Sequence, residues 1–112
     1  MNVYTKSKYL AEKAAWDFHA ELPEAERFEL ITILPGFIMG PALKVESSVS
    51  IDFCRGLITG KLPAIPHGSF PMVDVRDCAQ AHLLALKVPE AANRRFLCTY
   101  DTLWYKDLAK LV

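Results

Sequence analysis

The stretch RFELITILPGF, residues 27–37, constrains this chain more than any other. From Phe28 to Leu34 it is mostly apolar and β-branched, with no polar alternation, which predicts a strand buried on both faces. Ahead of it, Leu10, Ala11, Ala14, Ala15, Phe18 and Leu22 recur at three- and four-residue intervals. That spacing predicts an amphipathic helix from Tyr4 to Leu22, closed by Pro23. A helix followed by a doubly buried strand is the pattern of an α/β fold with a parallel sheet.

Downstream, PGFIMGP puts two glycines and two prolines into seven residues and predicts a loop at the strand's carboxyl end. In open α/β sheets ligands gather at that end. The polar stretch KVESSVS predicts a loop in which Ser48 or Ser50 caps a helix running to about Ile58, with Gly60 as its terminator. KLPAIPHGSF is irregular and PMV a short extended segment. Asp74 is an N-cap candidate for the next helix, with Asp77 beside it where exposed N–H groups favour negative charge. Ala79, Leu83 and Leu86 give that helix its buried face, and Pro89 ends it. RRFLCTY predicts another strand and TLWYKDLAKLV a last helix. Two clear strands and one or two doubtful ones are too few to close a doubly wound sheet around a core.

The 13 basic and 13 acidic residues of the 112 cancel, with no basic stripe, so nucleic acid and anionic membrane surfaces are excluded as expected partners. Cys54, Cys78 and Cys98 are odd in number and far apart in apolar surroundings. They read as buried thiols of a reducing, cytoplasmic protein rather than a disulfide framework. They show no C-x-x-C spacing and His19, His67 and His82 are scattered, so no metal is expected. No apolar run approaches the ~20 residues of a membrane span.

The chemistry-bearing candidate is Tyr4 with Lys8, one helical turn apart. Four tyrosines and eight lysines produce roughly 0.3 such pairs by chance under the i,i+4 rule, and Tyr9 with Lys13 is a second, so spacing decides nothing. The surroundings separate them. Y-x-x-S-K-x-x-A-E, carried by Tyr4, Ser7, Lys8, Ala11 and Glu12, resembles the active-site helix of extended short-chain dehydrogenases/reductases. LPGFIMGP resembles the family's loop along the nicotinamide half of the cofactor. FPMVDVRDCAQAHLLAL is similar to its later V-x-V-x-D-x-A-x-A-H segment, at Val73, Val75, Asp77, Ala79, Ala81 and His82. Within the family the pattern is closest to the dihydroflavonol reductase-like branch.

The resemblance implies the C-terminal portion of a Rossmann-like doubly wound parallel sheet, with part of the small substrate-binding region, as one partial domain over residues 1–112. It implies NADP or NAD as cofactor, NADP by preference, and hydride transfer at a hydroxyl/carbonyl couple of an apolar small molecule. Tyr4 is then the acid/base and Lys8 its electrostatic partner and a ligand of the nicotinamide ribose. A phenol ordinarily titrates near 10, and a neighbouring ammonium favours its charged form. Pro35, Gly36, Phe37 and Ile38 offer backbone groups and a flat surface to the carboxamide, although Leu34 stands where the family often has asparagine. Ser47 and Ser48 face the adenine-side ribose or a phosphate, or are ordinary surface serines. Arg76 and Asp77 form either a functional pair or a helix cap beside a structural salt bridge, and His82 is packed or hydrogen-bonded within its helix.

The family's glycine-rich turn, G-x-x-G-x-x-G, does not occur in this chain. The chain is therefore expected to be incomplete and inactive alone. The alternatives are a non-enzymatic module, pairing with a related full-length chain or as a dimer through an exposed strand edge, and a sugar-nucleotide epimerase or dehydratase. The apolar SIDFCRGLITGKLPAI and the lack of a basic cluster for a diphosphate weigh against the last.

Overall fold

The computed structural model describes residues 2–44 and 48–111. Helix α1 spans Val3–Glu21; Asn2 caps it, its Oδ1 accepting from the Thr5 amide at 2.8 Å. Strand β1 is Thr32–Pro35, β2 Phe37–Met39, α2 Val49–Ile58, β3 Ser69–Asp74, α3 Val75–Lys87, β4 Arg95–Cys98, β5 Asp101–Trp104 and α4 Tyr105–Leu108.

The strands form two small sheets. β1 pairs with β4 in parallel, and β3 lies between β2, parallel to it, and β5, antiparallel. Gly36 is the switch point: its N–H donates to the Cys98 carbonyl at 3.1 Å on β4, and the next residue, Phe37, is already in register with Met72 on β3. The expected α/β class with parallel strands is present, and four features differ in detail.

The strand expected over Phe28–Leu34 starts only at Thr32 and is half-buried rather than buried, because only its β4 edge is paired among the described residues. PGFIMGP is not all loop, since Phe37–Met39 extends onto β3. The extended segment around PMV grows to six residues. Residues 101–104 pair with β3 instead of beginning the last helix, which shrinks to Tyr105–Leu108. The last three changes add sheet, because backbone N–H and C=O groups beside an existing strand find partners by pairing with it.

α2 ends as its sequence predicts. Gly60 adopts φ +65°, its N–H donating to the Leu57 carbonyl while the Lys61 N–H reaches back to Gly56, a left-handed cap that satisfies two terminal carbonyls. At its start Ser48, rather than Ser50, caps: the Ser48 Oγ accepts from the Ile51 amide at 3.3 Å.

Phe70 and Val73, three apart on β3, face opposite sides of the sheet and are both buried. On the Phe70 side Phe37, Phe53 and Tyr105 close an aromatic cluster, with Phe70 centroids 4.6 Å from Phe37 and 4.5 Å from Tyr105. Ring pairs of this kind contribute about 0.5–1.5 kcal/mol each beyond their buried area. On the other side α3 covers the sheet with Cys78, Ala81 and Ala85, not with the expected Ala79, Leu83 and Leu86, which are exposed, Leu86 at 84%. Both stripes are apolar at helical spacing, and small residues let α3 approach the strands closely.

α1 behaves similarly. Glu12, Ala15, Trp16, His19 and Leu22 turn inward and are half-buried, while Leu10, Ala11, Ala14 and Phe18 face outward. The molecule is elongated, 56 × 30 × 25 Å, with a radius of gyration of 17.3 Å against the ~13 Å of a compact chain of this length.

Candidate active site

Tyr4 and Lys8 lie on the first turns of α1, where the four-residue spacing stacks them on one face. The Lys8 Nζ sits 5.6 Å from the centroid of the Tyr4 ring, and Tyr4 as a residue is 69% exposed. Ser7, between them, donates its Oγ hydrogen to the Tyr4 carbonyl at 2.7 Å and so spends its hydroxyl on the helix backbone. The ammonium and phenol are therefore adjacent and open to an incoming ligand.

Pro35 ends β1, and Gly36 is forced by contact. A Cβ there would come within 2.5 Å of the Pro71 carbonyl oxygen and 3.2 Å of the Thr99 methyl. Phe37 turns into the aromatic cluster. Ile38 faces the other way, into a cleft of about 400 Å³ shared with Met39, Ser48, Ile51, Cys54 and Ile58. Of the residues proposed from the sequence for cofactor contact, Ile38 and Ser48 thus meet in one cavity, and Tyr4 and Lys8 do not line it. Ser47 lies outside the described residues. Gly40, at φ +128°, closes the bend where a Cβ would press 2.9 Å against Val75.

Asp74 caps α3 and carries a partner. Its Oδ1 accepts from the Arg76 amide at 2.8 Å and from Arg76 Nε at 2.9 Å, and Oδ2 accepts from Nη2 at 2.7 Å. Arg76 thus pairs with Asp74 rather than Asp77. The guanidinium and amide bonds hold the Asp74 carboxyl at about 2, below its ordinary 3.8. Because the folded value is depressed, the stabilisation is fully present above pH 3.8 and is lost as pH falls toward 2. Asp74→Asn is expected to flatten that part of the acid dependence, measured as urea midpoints at several pH values across the window. An unchanged difference between acid and neutral midpoints would contradict it.

All three cysteines are free thiols; Cys78 is buried and Cys54 and Cys98 are half-buried, so the expectation of three buried thiols holds for one. Burial pushes the Cys54 and Cys98 thiols up from their ordinary range, the opposite of an activated nucleophile. His82 Nδ1 lies 2.8 Å from the Cys78 carbonyl, a bond within its own helix. Among the described residues no three His, Cys, Asp or Glu side chains are grouped to hold a metal, and no helix is long and apolar enough to cross a membrane.

Sequence reasoning gave Glu12 no role. It lies one turn beyond Lys8, and its carboxylate joins α1 to β1 and β4 through Thr32 and Arg95. The signal was present in the motif, but its partners are 20 and 83 residues away.

No protein-family model matches the chain. An oxidoreductase of Saccharomyces cerevisiae is 42% identical over 105 residues, covering 88% of this chain and 30% of the relative. Cinnamoyl-CoA reductase CAD2 of Medicago truncatula is 37% identical over 94 residues, covering 84% of this chain and 27% of the relative. Yeast methylglyoxal/isovaleraldehyde reductase Gre2, solved complexed with NADPH, superposes with a TM-score of 0.84 at 31% identity, over 94% of this chain and 32% of that one. The chain is homologous to the C-terminal part of extended short-chain dehydrogenases/reductases of the dihydroflavonol reductase type. The fold is accordingly that of the C-terminal part of Rossmann-like reductases, and the chain spans about a third of the length of the relatives it matches.

Proposed function

We propose that this chain carries the acid/base part of an NADPH-dependent carbonyl reductase site, with Tyr4 and Lys8 as its catalytic residues. The observation that carries the reading is the exposed Tyr4 with the Lys8 ammonium 5.6 Å from its ring centroid, in a chain that matches over 94% of its length a reductase solved with NADPH. The substrate class is a hydroxyl/carbonyl couple on an apolar small molecule, in keeping with the likeness to a methylglyoxal/isovaleraldehyde reductase.

The residues present suit one half of a dinucleotide. Ile38 and Met39 form an apolar wall, Ser48 and Ser50 place hydroxyls across the same cleft, and Gly36 brings backbone close without a side chain. Pro35, Gly36, Phe37, Ile38, Ser47 and Ser48, with Tyr4 and Lys8, are the proposed cofactor contacts. Bound nicotinamide would supply or take the hydride. Tyr4 Oη holds the substrate oxygen by a hydrogen bond and gives up its proton as the carbonyl becomes a hydroxyl, regaining one from solvent. Lys8 keeps a positive charge beside the phenol through that transfer and so lowers the cost of the phenolate.

The glycine-rich pyrophosphate turn must come from outside this sequence, in the same chain or from a related subunit docked on the open edge of β1. The test joins this chain to the N-terminal portion of a relative and follows NADPH oxidation with an apolar aldehyde. Turnover is expected in the completed reductase, and neither turnover nor micromolar NADPH binding in the chain alone. A completed protein that folds and binds NADPH yet reduces no carbonyl compound would sink the proposal.

A further inference from the structure

The reductase reading leaves Glu12 unused, yet it is where α1 meets the sheet. Its Oε1 accepts from Arg95 Nε at 2.9 Å and from Thr32 Oγ1 at 3.0 Å, and Oε2 accepts from Arg95 Nη2 at 3.0 Å. Thr32 and Arg95 face each other in the β1–β4 register, so one carboxylate closes onto both strands. The Glu12 side chain is only 16% exposed, whereas no described residue of α1 is fully buried. The Arg95 hydrogen bond, opposed by desolvation and aided by Thr32, holds the carboxyl below its ordinary range and keeps it charged.

We propose that Glu12 is a positioning residue that sets the tilt of α1 and thereby the location of Tyr4 and Lys8 relative to the Pro35–Gly36 bend. This rests on the proposed roles of Tyr4 and Lys8. The far end of the helix has its own ties: His19 Nε2 lies 2.6 Å from the Phe28 carbonyl, and Arg27 donates to the Ala20 and Leu22 carbonyls at 3.0 Å. Among the described residues of α1, Glu12 is the side chain nearest the amino end whose polar bonds reach a strand. Tyr4 stands eight residues earlier, about 12 Å along the axis at 1.5 Å per residue. A tilt of about 5° at Glu12 therefore moves Tyr4 by about 1 Å, a misplacement that costs on the order of 10²-fold in rate. A bidentate guanidinium pair resists that tilt better than a single contact because its two parallel bonds fix direction as well as distance.

The experiment is hydrogen exchange on the chain itself, with Glu12→Gln, Arg95→Gln and the exchanged pair Glu12→Arg with Arg95→Glu. Both single variants are expected to speed exchange of the Lys8–Ala14 amides by about tenfold or more while β3 amides keep their rates, and the exchanged pair to recover most of the protection. In the completed reductase Glu12→Gln is expected to lower kcat by about tenfold or more, with a smaller change in KM for the carbonyl substrate. Unchanged exchange in α1, or equal acceleration in α1 and β3, overturns the positioning role. So does faster α1 exchange with kcat untouched. If no completed form turns over with Glu12 intact, the reductase reading fails instead, and the exchange pattern alone decides whether Glu12 holds the helix.

Discussion

Tyr4→Phe in the completed reductase is expected to lower kcat by about 10²–10⁴-fold, the usual contribution of a positioned acid/base group. The substitution removes one oxygen and leaves the ring whose centroid lies 5.6 Å from Lys8 Nζ. Because Tyr4 is 69% exposed and its hydroxyl makes no hydrogen bond to the described residues, thermal stability should not change. NADPH affinity should fall far less than kcat, since Lys8 and the bend keep their groups. Stopped-flow hydride transfer with NADPH and an apolar aldehyde separates the two quantities. Retention of more than a tenth of the parent rate would place the proton elsewhere. Lys8→Met should weaken dinucleotide binding and slow hydride transfer together, because the developing phenolate then has no cation beside it.

The second large effect is on stability. Gly36→Ala puts a methyl group 2.5 Å from the Pro71 carbonyl oxygen and 2.9 Å from its carbon, distances that backbone atoms cannot absorb by rotating. Either β3 moves away, breaking the register Phe37↔Met72, or the Gly36 N–H leaves the Cys98 carbonyl. Overpacking of this kind costs about 1–3 kcal/mol and sometimes more, and 3 kcal/mol corresponds to a melting point lower by on the order of 10 °C in a chain of this size. Calorimetry on the chain measures it directly. The matched control is Gly68→Ala, where the nearest atom to an added Cβ is 3.5 Å away on a side chain; there the loss should be far smaller. Equal losses at the two glycines would contradict the steric account of Gly36.

Local rules carried a long way here. The caps at Ser48 and Asp74, the stop at Gly60 and the break after Leu22 are each written in residues within one turn of where they act. Tyr4, Lys8 and Glu12 share a face because the helix repeats nearly every four residues. What failed was non-local. Thr102 and Leu103 read as the approach to a helix, yet their partners are Pro71 and Phe70, some thirty residues earlier in the chain. Phe37 stands in a segment that reads as a loop, and it extends onto β3 instead, its ring packed with Phe53 and Phe70, neither of them adjacent to it in sequence.

The helical stripes show the same division. α3 carries two apolar lines at equivalent spacing, and periodicity cannot rank them. The sheet chose Cys78, Ala81 and Ala85, because small side chains permit close approach, and left Leu83 and Leu86 outside.

By itself the sequence determined the α/β class, the helix boundaries set by capping, and a phenol and an amine held one turn apart. Only the tertiary structure decided that β1 and β2 join different strands at Gly36 and that Glu12, paired across 83 residues with Arg95, ties the phenol's helix to the sheet. The reason is range: hydrogen bonds along a helix link residues a few positions apart, whereas strand pairing and long-range ion pairs depend on partners that only the folded chain brings together.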